Sequence, residues 1–245
     1  MTSLLPLVTA HSGCEDTPEN SLESMLAGIA AGADTVEIDV RATGDGTPIL
    51  MHDPFVGRGG TDIAVQQLSI NELDAIATLE QALDLVASYD VMVDLDLKDD
   101  GCIEGVVRLV RSHGLGEKVI LTGCTPARAR VLRTLAPELP VLLNAEVPTG
   151  PIATDAYTRF VKHTCRTAIE HHCCGINVHF DGCREELVTH GRRRYLPVSV
   201  WTVDDDRDMH EMVRLGVHSI TTHHPRQLIS LLGPGREATG SVSRS

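Results

Sequence analysis

Two histidines and two carboxylates lie within one stretch of the chain, at spacings that could bring them together. His11 ends the apolar-rich run Val8-Thr9-Ala10, Glu37 and Asp39 alternate with Val36, Ile38 and Val40, and His52 follows the apolar run Pro48 to Met51. In a strand, residues two apart share a face, so Glu37 and Asp39 point one way and the three aliphatic residues the other. The turn residues Gly44-Asp45-Gly46 predict a reversal that returns His52 towards the carboxylates. A later run, VMVDLDLK, puts Asp94, Asp96 and Lys98 on one face by the same rule. Imidazole exchanges protons near neutral pH. Buried carboxylates without partners cost several kcal/mol, so three acids converging on one place call for a cation. Oxygen-only ligation suits Mg²⁺ or Ca²⁺, and the chain has no His-x-x-Glu-His type zinc pattern. The alternative is a salt network in which the acids pair with Lys98 and Arg41.

The elements that must position these groups alternate. Helical spacing covers 20–31, 78–89, 103–113, 126–135, 155–172, 184–194, 205–215 and 226–232, with short apolar runs between. Eight strands alternating with eight helices predict a single-domain (β/α)8 TIM barrel over residues 1–232. An open doubly wound sheet is the competing arrangement, but no Gly-rich phosphate fingerprint follows the first strand. Barrels carry their chemistry where strands end at the C-terminal face. His11, Glu37, Asp39, Asp96 and Lys98 fall at or near such ends, and the hairpin brings in His52. Residues 54–78 read as a polar, Gly-rich, substrate-contacting loop with a short helical signal at 70–76. The Gly-, Ser- and Arg-rich tail 233–245 predicts disorder.

Composition narrows the function. A chain of 245 residues suits one barrel, and 42% hydrophobic content with one Trp, three Tyr and three Phe implies an aliphatic core. A formal charge of −13 argues against nucleic acid and anionic membrane surfaces as partners, since both need a basic footprint. A small molecule is the expected partner. Seven scattered cysteines, an odd number, do not form a disulfide framework and point to free thiols in a reducing compartment. The first residues have neither a basic leader nor an apolar stretch of membrane length, so a soluble, cytoplasmic protein is expected. The His- and Cys-dense segment 163–183 lacks Cys-x-x-Cys spacing and reads as ordinary thiols and imidazoles rather than zinc ligands. Cys14 follows the first strand, where it could line the pocket.

The groups His11-Ser12-Gly13, Pro18-Glu19-Asn20, Gly32-Ala33-Asp34, Glu37-Ile38-Asp39, Asp45-Gly46 and His52-Asp53 stand in one fixed order. In that order they resemble the glycerophosphodiester phosphodiesterases, of the phospholipase-C-like phosphodiesterase superfamily. Asp94-Leu95-Asp96-Leu97-Lys98 is similar to the family's Asn-x-Glu-x-Lys, Trp201-Thr202-Val203 to its late Trp-Thr-Val, and residues 216–225 to its closing segment. The resemblance implies metal-assisted cleavage of a glycerophosphodiester to glycerol 3-phosphate and an alcohol. Glu37, Asp39 and Asp96 would hold the metal, His11 and His52 would be general acid and base, and Lys98 would face the phosphoryl oxygens. Trp201 would stack on an apolar part of the substrate or else fill the core. Glu146, Asn177 and His179 also end strands and add candidate polar contacts.

Several positions depart from the pattern. Asp96 replaces a glutamate, and His218 and His223 replace both aspartates of the closing segment. Ser12 replaces an arginine, exchanging a bidentate cation for one neutral donor at the phosphate. Either Arg41, which continues the alternation of Glu37 and Asp39 and so could face inward, or Arg58 supplies a substitute cation, or the substrate is bound differently, or activity is weak; the competing reading of Arg41 is a surface or salt-bridge arginine. A non-catalytic or weakly active barrel that binds a phosphorylated ligand, and a lyase that stops at a cyclic phosphate, are the alternatives.

Overall fold

The structure, a computed structural model, describes residues 5–147 and 153–233. The chain runs β1 (Leu7–Ala10), α1 (Leu22–Ala31), β2 (Thr35–Ala42), β3 (Pro48–Leu50), β4 (Phe55–Arg58), β5 (Thr61–Ala64), α2 (Leu79–Ala87), β6 (Met92–Leu97) and α3 (Ile103–His113). It continues through β7 (Val119–Cys124), α4 (Pro126–Leu135), β8 (Val141–Ala145), α5 (Thr154–Glu170), β9 (Gly175–His179), α6 (Glu185–Arg192), β10 (Val198–Trp201), α7 (Asp206–Leu215), β11 (Ser219–Thr222) and α8 (Pro225–Leu232). Strands β1, β2 and β6 to β11 pair in parallel, and β1 bonds to both β2 and β11, which closes an eight-stranded barrel. This is the expected (β/α)8 architecture. β3 adds antiparallel to β2 at the rim.

Parallel strands beneath a layer of helices are buried on both faces. In β2, Val36, Ile38 and Val40 are buried in the same apolar cluster as Met25 and Ile29 of α1. Glu37 and Asp39 occupy the alternate face and line a cavity in the barrel mouth. Helix ends follow local chemistry. Ser21 accepts from the Ser24 N–H to cap α1, and Gly32 closes it at φ 88°, a left-handed conformation open to glycine at little cost. Gly28 lets α1 lie close on the barrel, since a Cβ there would come 2.6 Å from Ala10 Cβ.

One expectation is corrected. Residues 54–78 hold a β4–β5 hairpin and two short 3-10 turns, Val65–Gln67 and Ile70–Glu72, in place of a plain loop with a helical turn at 70–76. The hairpin closes through Gly59 and Gly60, both at positive φ, the backbone that a tight two-residue hairpin turn requires. Beneath this segment Ile49, Val65, Leu68 and Leu73 form a small separate apolar cluster. The expected tail disorder concerns residues that, Gly233 apart, lie outside those described. Among the described residues no helix is long and apolar enough to cross a membrane.

All seven cysteines are free, and six are buried. Burial pushes the Cys173 thiol up to about 11 and that of Cys102 up to about 12, which keeps them protonated and unreactive. Cys14 is 0% exposed, with its Sγ directed to the Ser24 carbonyl at 3.4 Å, so it packs under α1 and does not line the cavity.

Candidate active site

Strand register assembles the acids. In the β2–β6 pair Glu37 stands beside Asp94 and Asp39 beside Asp96. Glu37, Asp39 and Asp96 each offer an oxygen within 4.8 Å of the others. Each is held in place. The Ser12 N–H donates to Glu37 Oε2 at 3.1 Å. Asn20 clamps Asp39 twice: its Nδ2 donates to Oδ2 at 2.8 Å, and its Oδ1 accepts the Asp39 N–H at 2.9 Å. Gly123 makes room for Asp96, because a Cβ on it would fall 2.1 Å from Asp96 Oδ1. Lys98 Nζ lies 2.8 Å from both Asp39 Oδ1 and Asp96 Oδ2. Behind them Thr122 Oγ1 donates to Asp94 Oδ1 at 2.6 Å.

The electrostatics are those of a cation site. Burial, reinforced by Asp39 and Asp96, pushes the Glu37 carboxyl well above its ordinary range. Burial and then Glu37 do the same to Asp94. Burial disfavours the Lys98 charge, but Asp96 and Asp39 outweigh it and hold the ammonium above its usual range. One lysine does not offset this many buried carboxylates. Three hard oxygen donors held by neighbouring hydrogen bonds fit a divalent cation such as Mg²⁺ or Ca²⁺.

The carboxylates line a cavity of about 620 Å³, and His11 and His52 line it with them. His11 Nδ1 lies 2.7 Å from the Ser12 carbonyl. A carbonyl only accepts, so Nδ1 carries the proton and Nε2 is left for the cavity. His52 Nδ1 bonds Asp53 Oδ1 at 2.9 Å, which assigns the same tautomer. The His52 backbone is held as well, because Arg41 Nε donates to its carbonyl at 2.8 Å.

Comparison with known proteins identifies the architecture. The model of the glycerophosphoryl diester phosphodiesterase family matches residues 11–227. The chain belongs to that family. Membership places it among the phosphoric diester hydrolases. A glycerophosphodiester phosphodiesterase of Caldanaerobacter subterraneus is 25% identical over 253 aligned positions, covering 94% of this chain and 98% of that one. Among solved structures, an Oleispira antarctica phosphodiesterase in complex with the product sn-glycerol-3-phosphate superposes with a TM-score of 0.79 at 21% identity, over 95% of this chain and 98% of the other. A glycerophosphodiester phosphodiesterase of Parabacteroides distasonis gives 0.76 at 22% identity, over 93% and 96%.

Within this family member, His11, His52, Glu37, Asp39, Asp96, Lys98 and Trp201 share one cavity. Trp201 is 36% exposed and meets His179 edge-on, with ring centres 5.3 Å apart, so it belongs to the mouth and not to the core. Asn177 also lines the cavity, whereas Glu146 and His179 do not. Two expected phosphate contacts are placed elsewhere. Arg41 lies past the last β2–β6 pair, Val40 with Leu97, where β2 runs on beside β3; its guanidinium is taken by the His52 carbonyl and by Asp99, 3.6 Å away. Ser12 is 1% exposed, and its hydroxyl accepts the Asn20 N–H. Arg58, the other substitute, sits on the exposed β4 and does not line the cavity.

Other groups at the site were not singled out from the sequence. Asn20 stood in the quoted Pro18-Glu19-Asn20 group, but its grip on Asp39 is a tertiary contact. Arg128 reaches into the cavity wall from the first turn of α4, bonding the carbonyls of Leu97 and Gly123, and carries no local signal. His223 also lines the cavity, and its departure from the family pattern was the visible clue.

Proposed function

We propose that the protein hydrolyses glycerophosphodiesters to glycerol 3-phosphate and an alcohol, with Mg²⁺ or Ca²⁺ held by Glu37, Asp39 and Asp96. The observation that carries this reading is three carboxylate oxygens within 4.8 Å of one another, in a cavity also lined by two imidazoles whose Nδ1 atoms are engaged. When bound, the cation supplies Lewis-acid polarisation of the phosphoryl group. The remaining work falls to the chain. The attacking hydroxyl, of water or of the substrate's own glycerol with water then opening the cyclic phosphate, gives its proton to the bare Nε2 of one histidine; the other, entering with a proton on both nitrogens, gives its Nε2 proton to the departing alkoxide. Lys98, kept charged by Asp39 and Asp96, faces the negative charge that grows on the phosphoryl oxygens. Asn20 and the Ser12 N–H hold the carboxylate orientation, as outer partners of metal ligands do. The unpaired thiols support a reducing, cytoplasmic setting.

The test is turnover of a glycerophosphodiester with Mg²⁺ or Ca²⁺, followed by phosphorus NMR. His11→Ala and His52→Ala are each expected to abolish it with the far-UV circular dichroism preserved. Unchanged turnover in both variants would overturn the histidine assignment. A cyclic phosphate as the final product would show a lyase. The buried Ser12, which leaves the cavity without the family arginine, favours one second reading: a barrel that binds a phosphorylated ligand without cleaving it. Retained binding with no turnover under either metal would establish that.

A further inference from the structure

An anionic substrate entering this cavity meets an acid-rich wall. Glu19, Glu37, Asp39, Asp94 and Asp96 line it, against the permanent cations Lys98 and Arg128. Both cations are engaged. Lys98 Nζ sits 2.8 Å from two carboxylates, and the Arg128 guanidinium is bonded to the Leu97 and Gly123 carbonyls and, at 2.8 Å, to Asp100. The arginine that family members carry at position 12 is a buried serine here. A bound divalent cation and Lys98 together balance the three carboxylates, which leaves no unengaged permanent cation among the cavity-lining residues for that arginine's role.

We infer that His223, anchored by Asp204, is a phosphoryl-contacting cation of this cavity. The inference rests on the reading of the cavity as a phosphodiester site. His223 lines the cavity, and its Nδ1 lies 2.9 Å from Asp204 Oδ2. Asp204 is itself fixed from two more directions: its Oδ1 accepts the His223 N–H at 2.9 Å and the hydroxyl of the fully buried Thr222 at 3.1 Å. Asp204 does not line the cavity, so its charge is spent on the imidazole and not on the substrate. Partial burial would raise its carboxyl, but the bonds from His223 outweigh this and hold it below the usual range, so it stays ionised. Asp204 engages Nδ1 and leaves Nε2 for the substrate; with a proton on each nitrogen the ring donates there to a phosphoryl oxygen while Asp204 balances its charge.

Position suits this role. The His223 ring centre is 4.3 Å from that of His11, so a phosphoryl group served by His11 Nε2 is within reach of His223 Nε2. Other ionisable groups near this segment include the adjacent His224, Asp206, which accepts from Gln227 Nε2 at 2.8 Å, and the Glu15–Arg226 pair, 3.1 Å apart, which neutralise each other, with the Glu15 N–H donating to the His223 carbonyl at 2.9 Å. Asp204 and His223 also tie the loop after β10 to the loop after β11, so a merely structural clip is the outcome the test must separate.

The test measures steady-state kinetics with a glycerophosphodiester and, by calorimetry, the affinity for sn-glycerol 3-phosphate, each with Mg²⁺ present. His223→Gln removes the charge while keeping size, and is expected to raise KM and weaken product binding by about tenfold or more, the effect of losing one charged hydrogen bond. Asp204→Asn is expected to shift both in the same direction by less. His223→Lys restores a cation and is expected to recover part of the product affinity. The inference falls if folded His223→Gln leaves KM and product affinity unchanged, or if His223→Lys is as impaired as His223→Gln. Should His223→Gln fail to fold, folded Asp204→Asn and His223→Lys decide by the same two measurements. A wild-type protein that binds sn-glycerol 3-phosphate through His223 yet cleaves no diester would refute the proposed hydrolysis and leave this inference standing.

Discussion

Glu37→Gln should reveal the carboxylate trio as a cation site through stability alone. Glu37 is buried beside Asp39 and Asp96, which holds its folded-state carboxyl well above its ordinary range. An acid with a raised folded pKa binds a proton in the native state that the unfolded chain releases. Its contribution is therefore fully present below the ordinary carboxyl pKa and is lost as pH rises through the elevated folded value. Asp94 acts in the same sense, and Lys98 does not titrate in this window. In chelator, the wild type should lose stability between pH 5 and pH 8. Glutamine keeps an acceptor for the Ser12 N–H and removes the charge, so the variant should be more stable than the wild type at pH 8, by on the order of 1–3 kcal/mol. With metal the gap should close or reverse. At a hundredfold excess over Kd, binding adds about 2.7 kcal/mol. For a chain of this size that is a rise of about 5–10 °C in Tm. Differential scanning calorimetry at both pH values, with chelator and with Mg²⁺ or Ca²⁺, reads all four cases. An equal metal-induced rise in wild type and variant, or a chelated wild type whose Tm is flat from pH 5 to pH 8, would refute the reasoning.

Three further substitutions probe the frame around the site. Asn20→Ala removes both bonds to Asp39 and is expected to cost about 2–3 kcal/mol and to weaken metal affinity about 10- to 100-fold by titration. Gly123→Ala forces a Cβ onto Asp96 Oδ1 at φ 65°, so it should lower Tm and abolish the metal-induced rise together. Arg41→Ala frees the His52 backbone without touching the cavity, so kcat should fall while KM changes less than twofold; a rise in KM alone would instead make Arg41 a substrate contact.

The fold was legible where burial is two-sided and punctuation is strong. Helix α3 spans 103–113 as its apolar spacing predicts, closed by Gly114 at φ 66°, and α4 spans 126–135 as predicted, starting at the Pro126 that follows the capping Thr125. The β4–β5 hairpin was hidden because β4 is largely exposed and its Gly-Gly turn reads equally well as loop. The carboxylates were legible because two local facts, alternation within β2 and within β6, suffice to aim them, and parallel register does the rest. The same alternation misplaced Arg41. Two-residue periodicity names a face of a strand, but the face stops lining the cavity once β2 leaves β6 and continues into the hairpin.

A difference in range separates the acids from the groups that offset them. Glu37, Asp39, Asp94 and Asp96 are set by neighbours two residues away, and Lys98 continues that alternation, while two other groups at the cavity arrive from afar: Arg128 in α4, and His223 after β11, joined to an aspartate 19 positions earlier. A motif states which residue stands at a position but not what its side chain bonds. Ser12 occupies the arginine's place in the chain, yet its hydroxyl is committed to Asn20 and its N–H to Glu37, so it serves the carboxylate frame. A function given up at position 12 thus need not be restored at neighbours such as Arg41 or Arg58. In a closed barrel every strand end faces the same mouth, and β11 hydrogen-bonds β1 with Ala10 paired to Thr222. The residue after β11 is therefore brought beside His11, which is where His223 stands, with the two ring centres 4.3 Å apart.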